Sequence, residues 1–183
     1  ASRHGNGTVL HHNDMHGLTY GELNGERSVR VQALERAFAG ANFDARASGN
    51  ILQDMWEKWM FIASAASMTC LMRGTVGDIV QSGGTDVADA MVDECAAILA
   101  HNGFAPRPDS LARAHAMLKV KGSSMTASMF KDIERGAAIE ADHIVGDLLR
   151  RRADGGERVT PLRIACAHLL AYEARRAREA NRG

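Results

Sequence analysis

The sequence has no excess charge of either sign: 22 lysines and arginines face 22 aspartates and glutamates, for a formal net charge of zero. A nucleic-acid partner is therefore not expected, because binding to a polyphosphate backbone leaves a basic footprint. Long apolar runs are missing too. The longest, residues 59–72, is interrupted by serines and Thr69 and is shorter than the roughly 20 residues that a bilayer-spanning helix needs. It reads as a buried helix, and no membrane partner is expected. Cysteine is scarce: Cys70, Cys95 and Cys166 lie far apart with no C-x-x-C spacing, which argues against a disulfide framework and against a zinc site. Each falls in an apolar helical pattern and is expected to be buried as a small hydrophobe. No charged leader with an apolar core and cleavage site opens the sequence, so the expected location is the cytoplasm. With 45% hydrophobic and 24% charged residues, the 183-residue chain reads as a globular domain large enough for a core, or one domain plus a piece of another.

The pattern changes near residue 50, from short strand-like runs to long helices. Residues 8–12 and 18–22 are separated by Asn13-Asp14 and Gly17, punctuation that predicts a hairpin. Ser28 is placed to cap a helix with Val31, Leu34, Ala37, Phe38 and Ala41 on its apolar face, and 43–47 reads as extended. From Asn50 a helix is predicted over 51–72, ended by Arg73-Gly74, then a short one over 76–80. Thr85 is expected to cap a helix running to Asn102-Gly103, and Pro108 to open one ending by Gly122. Ser123 or Ser124 is expected to start the next, Gly136 to break it before a helix over 139–152, and Thr160-Pro161 to open the last, which dissolves into a polar tail at 175–183. The domain reading is 1–49 and 50–183.

Chemistry-bearing residues are few. Gly5-Asn6-Gly7 precedes a strand instead of following one, so it reads as a turn and not as a dinucleotide fingerprint. No G-x-G-x-x-G or Walker-type loop occurs elsewhere, so no cofactor-binding residue is assigned here. His11, His12 and His16 cluster, but a strand would send neighbours to opposite faces, and Glu140, His143 and Asp147 lack the second set that a di-metal bundle requires; no metal is expected. Lys58 lies in Trp56-Glu57-Lys58-Trp59, where the long helix turns from polar to apolar. Partial desolvation there would lower its pKa and suit it to protonate a carbonyl oxygen being reduced; the plainer alternative is a helix lysine with its stem on the tryptophans. Ser128 and Asp132, four apart, share a helix face, and Glu140 follows the Gly136 break. Surface carboxylates are the plainer alternative for the two acids.

Taken in order, Trp56-Glu57-Lys58, Glu94-Cys95-Ala96-Ala97-Ile98, Ser128-Met129-Phe130-Lys131-Asp132-Ile133, Gly136, Glu140, Asp142, Ile144, Gly146 and Pro161 resemble the C-terminal domain of the ketopantoate reductase (2-dehydropantoate 2-reductase) family. The resemblance implies a mainly α domain, like the C-terminal domain of 6-phosphogluconate dehydrogenase, preceded in residues 1–49 by the last strands of a Rossmann cofactor domain. It implies NADP-dependent reduction of 2-dehydropantoate to pantoate, in pantothenate synthesis, with NADP held by another part of the protein and the chain alone inactive. Lys58 would be the general acid, Ser128 and Asp132 would bind substrate, Glu140 would assist catalysis, and Glu94 carries over more weakly. The implied partners are a small 2-oxo acid and, as an open alternative, a second copy of the chain. Where the family has asparagines four and eight residues after the lysine, this chain has Ile62 and Ala66, and Met125 stands where another asparagine is usual; a more apolar 2-oxo acid is thus an alternative substrate. A non-enzymatic helical interaction or dimerisation domain is the competing reading.

Overall fold

A computed structural model describes residues 2–3, 5–10 and 16–181. The chain forms two compact units, residues 1–54 and 55–183.

In the first unit, β1 (Ser2–Arg3) pairs antiparallel with β2 (Val9–Leu10), and β3 (Gly17–Tyr20) pairs parallel with β4 (Asp44–Ala47). Among the described residues the hairpin expected between 8–12 and 18–22 is not formed: the second segment takes its partner from beyond α1 (Val29–Phe38), with Tyr20 opposite Ala47. Parallel strands need a crossover, and α1 supplies it. Of the first segment, positions 11 and 12 lie outside the described residues. Ser28 caps α1 as predicted, its side chain accepting from the Val31 N–H. Phe38 meets Tyr20 and Phe43 edge-on at 5.5 and 5.4 Å and fastens the helix to the strand pair.

The remaining chain is helical. α2 (Ile51–Met72) has the predicted bounds. Arg73 ends it with φ 55°, a left-handed conformation costing a non-glycine residue about 1–2 kcal/mol. α3 (Val76–Gln81) starts on a capping box in which Thr75 and Asp78 satisfy each other's backbone N–H. α4 (Thr85–His101) includes Thr85 instead of being capped by it; the cap is Gly84, without a side-chain bond. α5 (Pro108–Met117) stops short of Gly122. The next helix, α6 (Ser128–Glu134), begins later than expected, because residues 123–127 are spent on α3: Met125 O and Ser123 O accept from the Val76 and Gly77 N–H groups at 3.0 and 2.9 Å. Only glycine fits at position 77, since a Cβ there would stand 2.7 Å from Ser123 N.

Gly136, at φ +69°, breaks the chain as predicted. The helix expected over 139–152 is shorter and irregular: residues 137–140 are not helical, and a π-turn at Asp142–Gly146 leads into α7 (Asp147–Arg150). Side chains of α8 (Pro161–Ala180) compete for the backbone there, Tyr172 Oη donating to Ala137 O at 2.8 Å and Glu173 Oε1 accepting from Ile139 N at 3.0 Å. α8 is capped by Thr160 as predicted but runs on to Ala180 instead of dissolving near 175. Arg175 and Glu179 form an i,i+4 pair along that extension.

The core contains Met60, Met68, Met91, Ile98, Leu99, Leu118, Leu148, Leu162 and Leu169, all essentially without exposed surface. α4 packs against α5, α7 and α8 around it. The three cysteines are free and buried, and burial pushes the Cys70 and Cys95 thiols up to about 12. Among the described residues no helix is long and apolar enough to cross a membrane.

Candidate active site

The turn of α2 around Lys58 is fixed by groups from distant parts of the sequence. Glu57 is buried, and its carboxylate accepts from the Arg107 backbone N–H at 2.8 Å and from the Arg107 guanidinium Nε and Nη2. Trp56 stacks on Phe104 with centroids 4.8 Å apart. The Arg151 guanidinium lies 5.6 Å from the ring centroids of both Trp56 and Trp59. Trp59 Nε1 donates to Ile144 O at 2.8 Å. Lys58, between these pinned neighbours, is exposed, so the desolvation expected from its apolar flanks is not supplied: the tryptophan rings are turned toward Phe104, Arg151 and Ile144. Along the same face one and two turns on stand Ile62, half-buried, and Ala66, buried.

Ser128 is the first residue of α6 and is exposed. Its predecessor Ala127 donates its N–H to Thr69 Oγ1 at 3.3 Å, while that hydroxyl donates to Ala65 O at 2.7 Å. The start of α6 is thus docked on α2 one turn beyond Ala66. An ion pair of Arg73 with Glu134, and the Arg73 guanidinium 5.9 Å from the Phe130 ring centroid, hold the rest of α6. Asp132 is half-buried and pairs with Arg135 at 2.5 Å. Glu140 is exposed and ends the non-helical segment 137–140; its carbonyl accepts from Ile144 N at 3.0 Å. Just after it, the Asp142 carboxyl is held below its usual range by a hydrogen bond from Arg150.

Lys58, Ser128 and Glu140 are thereby carried on elements anchored to one helix, Ser128 through Thr69 and Glu140 through Trp59 and Ile144. Glu94 is bonded by residues that follow α7 and open α8. Its carboxylate, 11% exposed, accepts from Arg152 Nη1, Thr160 Oγ1 and Leu162 N at 2.7, 2.5 and 3.1 Å, so it closes the N-terminus of α8. The anchoring residues Trp59, Arg107, Arg151, Tyr172 and Glu173 were not legible as such; an indole beside the lysine was the one sequence signal, and its partner could not be read.

The start of α1, the helix that follows β3, does not fit the phosphates of a dinucleotide. Such a group sits on free N–H donors and positive potential at a helix start. At α1, Ser28 already caps the helix, and Glu22 takes hydrogen bonds from Ser28 Oγ at 2.6 Å and Arg30 Nε at 3.0 Å. Arg30 and Ser28 hold the Glu22 carboxyl below its usual range, so Glu22 is ionised and Arg30 is taken up in a pair with it. Among the described residues no group of three or more His, Cys, Asp or Glu side chains is arranged to hold a metal ion.

The family model described as "Ketopantoate reductase PanE/ApbA C terminal" matches residues 50–173. The oxidoreductase YkpB of Bacillus subtilis is 31% identical over 169 residues, 92% of this chain and 56% of that protein. A 2-dehydropantoate 2-reductase of Archaeoglobus fulgidus is 28% identical over 142 residues, 76% of this chain and 47% of that one. The crystal structure of 2-dehydropantoate 2-reductase from Methylococcus capsulatus superposes with a TM-score of 0.74 at 27% identity, covering 90% of this chain and 53% of that chain. The chain spans about half the length of the curated relatives it matches.

Proposed function

The chain belongs to the ketopantoate reductase PanE/ApbA family, matching its C-terminal domain, and on that premise we propose that it is the substrate side of an NADP-dependent reductase of a small 2-oxo acid. In this reading residues 50–183 are the substrate domain and residues 1–49 the end of a cofactor domain whose nucleotide-binding part lies outside this chain. The reference reaction is reduction of 2-dehydropantoate to pantoate. NADPH supplies the hydride; what this chain supplies is a proton and the grip on the substrate.

Lys58 is the general acid. Negative charge grows on the ketone oxygen as the carbon is reduced, and an ammonium placed there both stabilises that charge and delivers the proton that completes the alcohol. Ser128 donates a hydrogen bond to the substrate carboxylate, Asp132 supports the same end, and Glu140 assists near Lys58. The observation that carries this reading is the contrast within one turn of α2: Trp56, Glu57 and Trp59 are engaged by later parts of the chain while Lys58 is exposed. Replacing Lys58 with Met in the protein with its cofactor domain should lower kcat/KM by about 10²–10⁴-fold, with the circular dichroism spectrum unchanged because both residues are good helix formers. Turnover near the unsubstituted level would remove Lys58 from the mechanism.

A second substrate reading is favoured by Ile62. It is half-buried, one turn from Lys58, and offers no hydrogen bond. A 2-oxo acid with an apolar substituent suits that wall better than one whose hydroxyl would be left unpaired.

A further inference from the structure

A two-bond bridge joins the Lys58 turn of α2 to Glu140. The Trp59 indole donates to Ile144 O at 2.8 Å, and the N–H of the same residue, Ile144, donates to Glu140 O at 3.0 Å. Ile144 sits inside the π-turn, where the Asp147 N–H reaches back to Asp142 O, five residues earlier. Such widened turns are rare and occur disproportionately at functional sites. The segment before it is fastened from the other side, Tyr172 Oη on Ala137 O and Glu173 on the Ile139 N–H. Residues 137–140 are therefore tied to α8 at their start and to α2 at their end, while the Glu140 side chain stays exposed.

We infer that Trp59 is a positioning residue: through the Ile144 main chain, its indole N–H sets where Glu140 stands relative to Lys58, without itself touching substrate. The inference rests on the proposed roles of Lys58 and Glu140. Ring packing alone does not account for the bond. Trp59 is already held by Trp56, at 5.2 Å, and by the Arg151 guanidinium, whereas the N–H points at one carbonyl 85 residues away in sequence.

The test is a double-mutant cycle in the protein with its cofactor domain. Trp59→Phe keeps a ring and removes the N–H; it should lower kcat about tenfold or more, because small misplacements of a catalytic group are costly, and leave KM within about twofold. In a Glu140→Gln background the same substitution should change kcat by less than about twofold, since the group it positions is already disabled. Tyr172→Phe, which cuts the opposite tether, should show the same non-additivity and serves if Trp59→Phe fails to fold. A strong Glu140→Gln defect with an additive Trp59→Phe effect would overturn the inference and leave the functional reading standing. Glu140→Gln without effect on kcat would overturn the role given to Glu140, and the inference with it.

Discussion

Ile62 puts a branched apolar side chain one helical turn from an exposed ammonium, and the two make opposite demands on a ligand. The ammonium asks for an oxygen that gains charge; the isoleucine asks for carbon. If Ile62 lines the substrate site, Ile62→Asn should raise the kcat/KM ratio of 2-dehydropantoate over a 2-oxo acid with an apolar substituent by about tenfold or more, since pairing one buried polar group is worth about 1–3 kcal/mol. Steady-state kinetics on both substrates read this directly, and an unchanged ratio would place Ile62 outside the site. At this scale the sequence is informative about identity and poor about surroundings. Lys58 stands out because two tryptophans and a glutamate flank it, yet its exposure is decided by Phe104, Arg107, Ile144 and Arg151, which turn those flanks away. Glu94 enters as a site carboxylate through the resemblance alone, and its partners, 58 to 68 residues further on, are not visible in the sequence.

Helix ends are where local chemistry spoke most clearly. Ser28, Pro108, Gly136 and Thr160-Pro161 each mark a boundary through interactions within three or four residues, and such interactions are visible in a linear string. Pairing of β3 with β4, the diversion of residues 123–127 onto α3 and the π-turn each depend on a partner remote in sequence, and none was legible. Glu94 gives an element-level test, because it ties α4 to the start of α8 by two hydrogen bonds, from Thr160 and Leu162, and to Arg152 by a third. Glu94→Ala should lower the unfolding free energy by about 2–3 kcal/mol, the scale of losing partly buried bonds to a charged group. Glu94→Gln, which still offers a carbonyl oxygen, should lose less. Urea denaturation measures both. A stability unchanged in either variant, with KM raised, would instead make Glu94 a substrate ligand.

For the whole molecule, what matters is how unevenly the core is shared. The hydrophobic cluster of buried residues lies entirely between Met60 and Tyr172, whereas among the described residues of 1–54 only Val31 and Ser48 are buried. Burial on this scale is what offsets the conformational entropy of folding, so the 55–183 unit should hold the slowly opening backbone. Within 1–54, β3 and β4 are half-exposed or exposed along most of their length, and the start of α1 is sealed by Ser28 and Glu22 instead of being open to a phosphate. Hydrogen exchange on this chain should therefore find the strongest amide protection in α2, α4 and α8, and much weaker protection in β3, α1 and β4, since local stability follows buried apolar contact. Adding NADPH should leave that pattern unchanged, because a ligand protects only the state it binds. Slowed exchange at residues 17–38 on adding NADPH would mean that the first unit holds the nucleotide after all, and the proposed division of labour between this chain and a separate cofactor-binding part would fail.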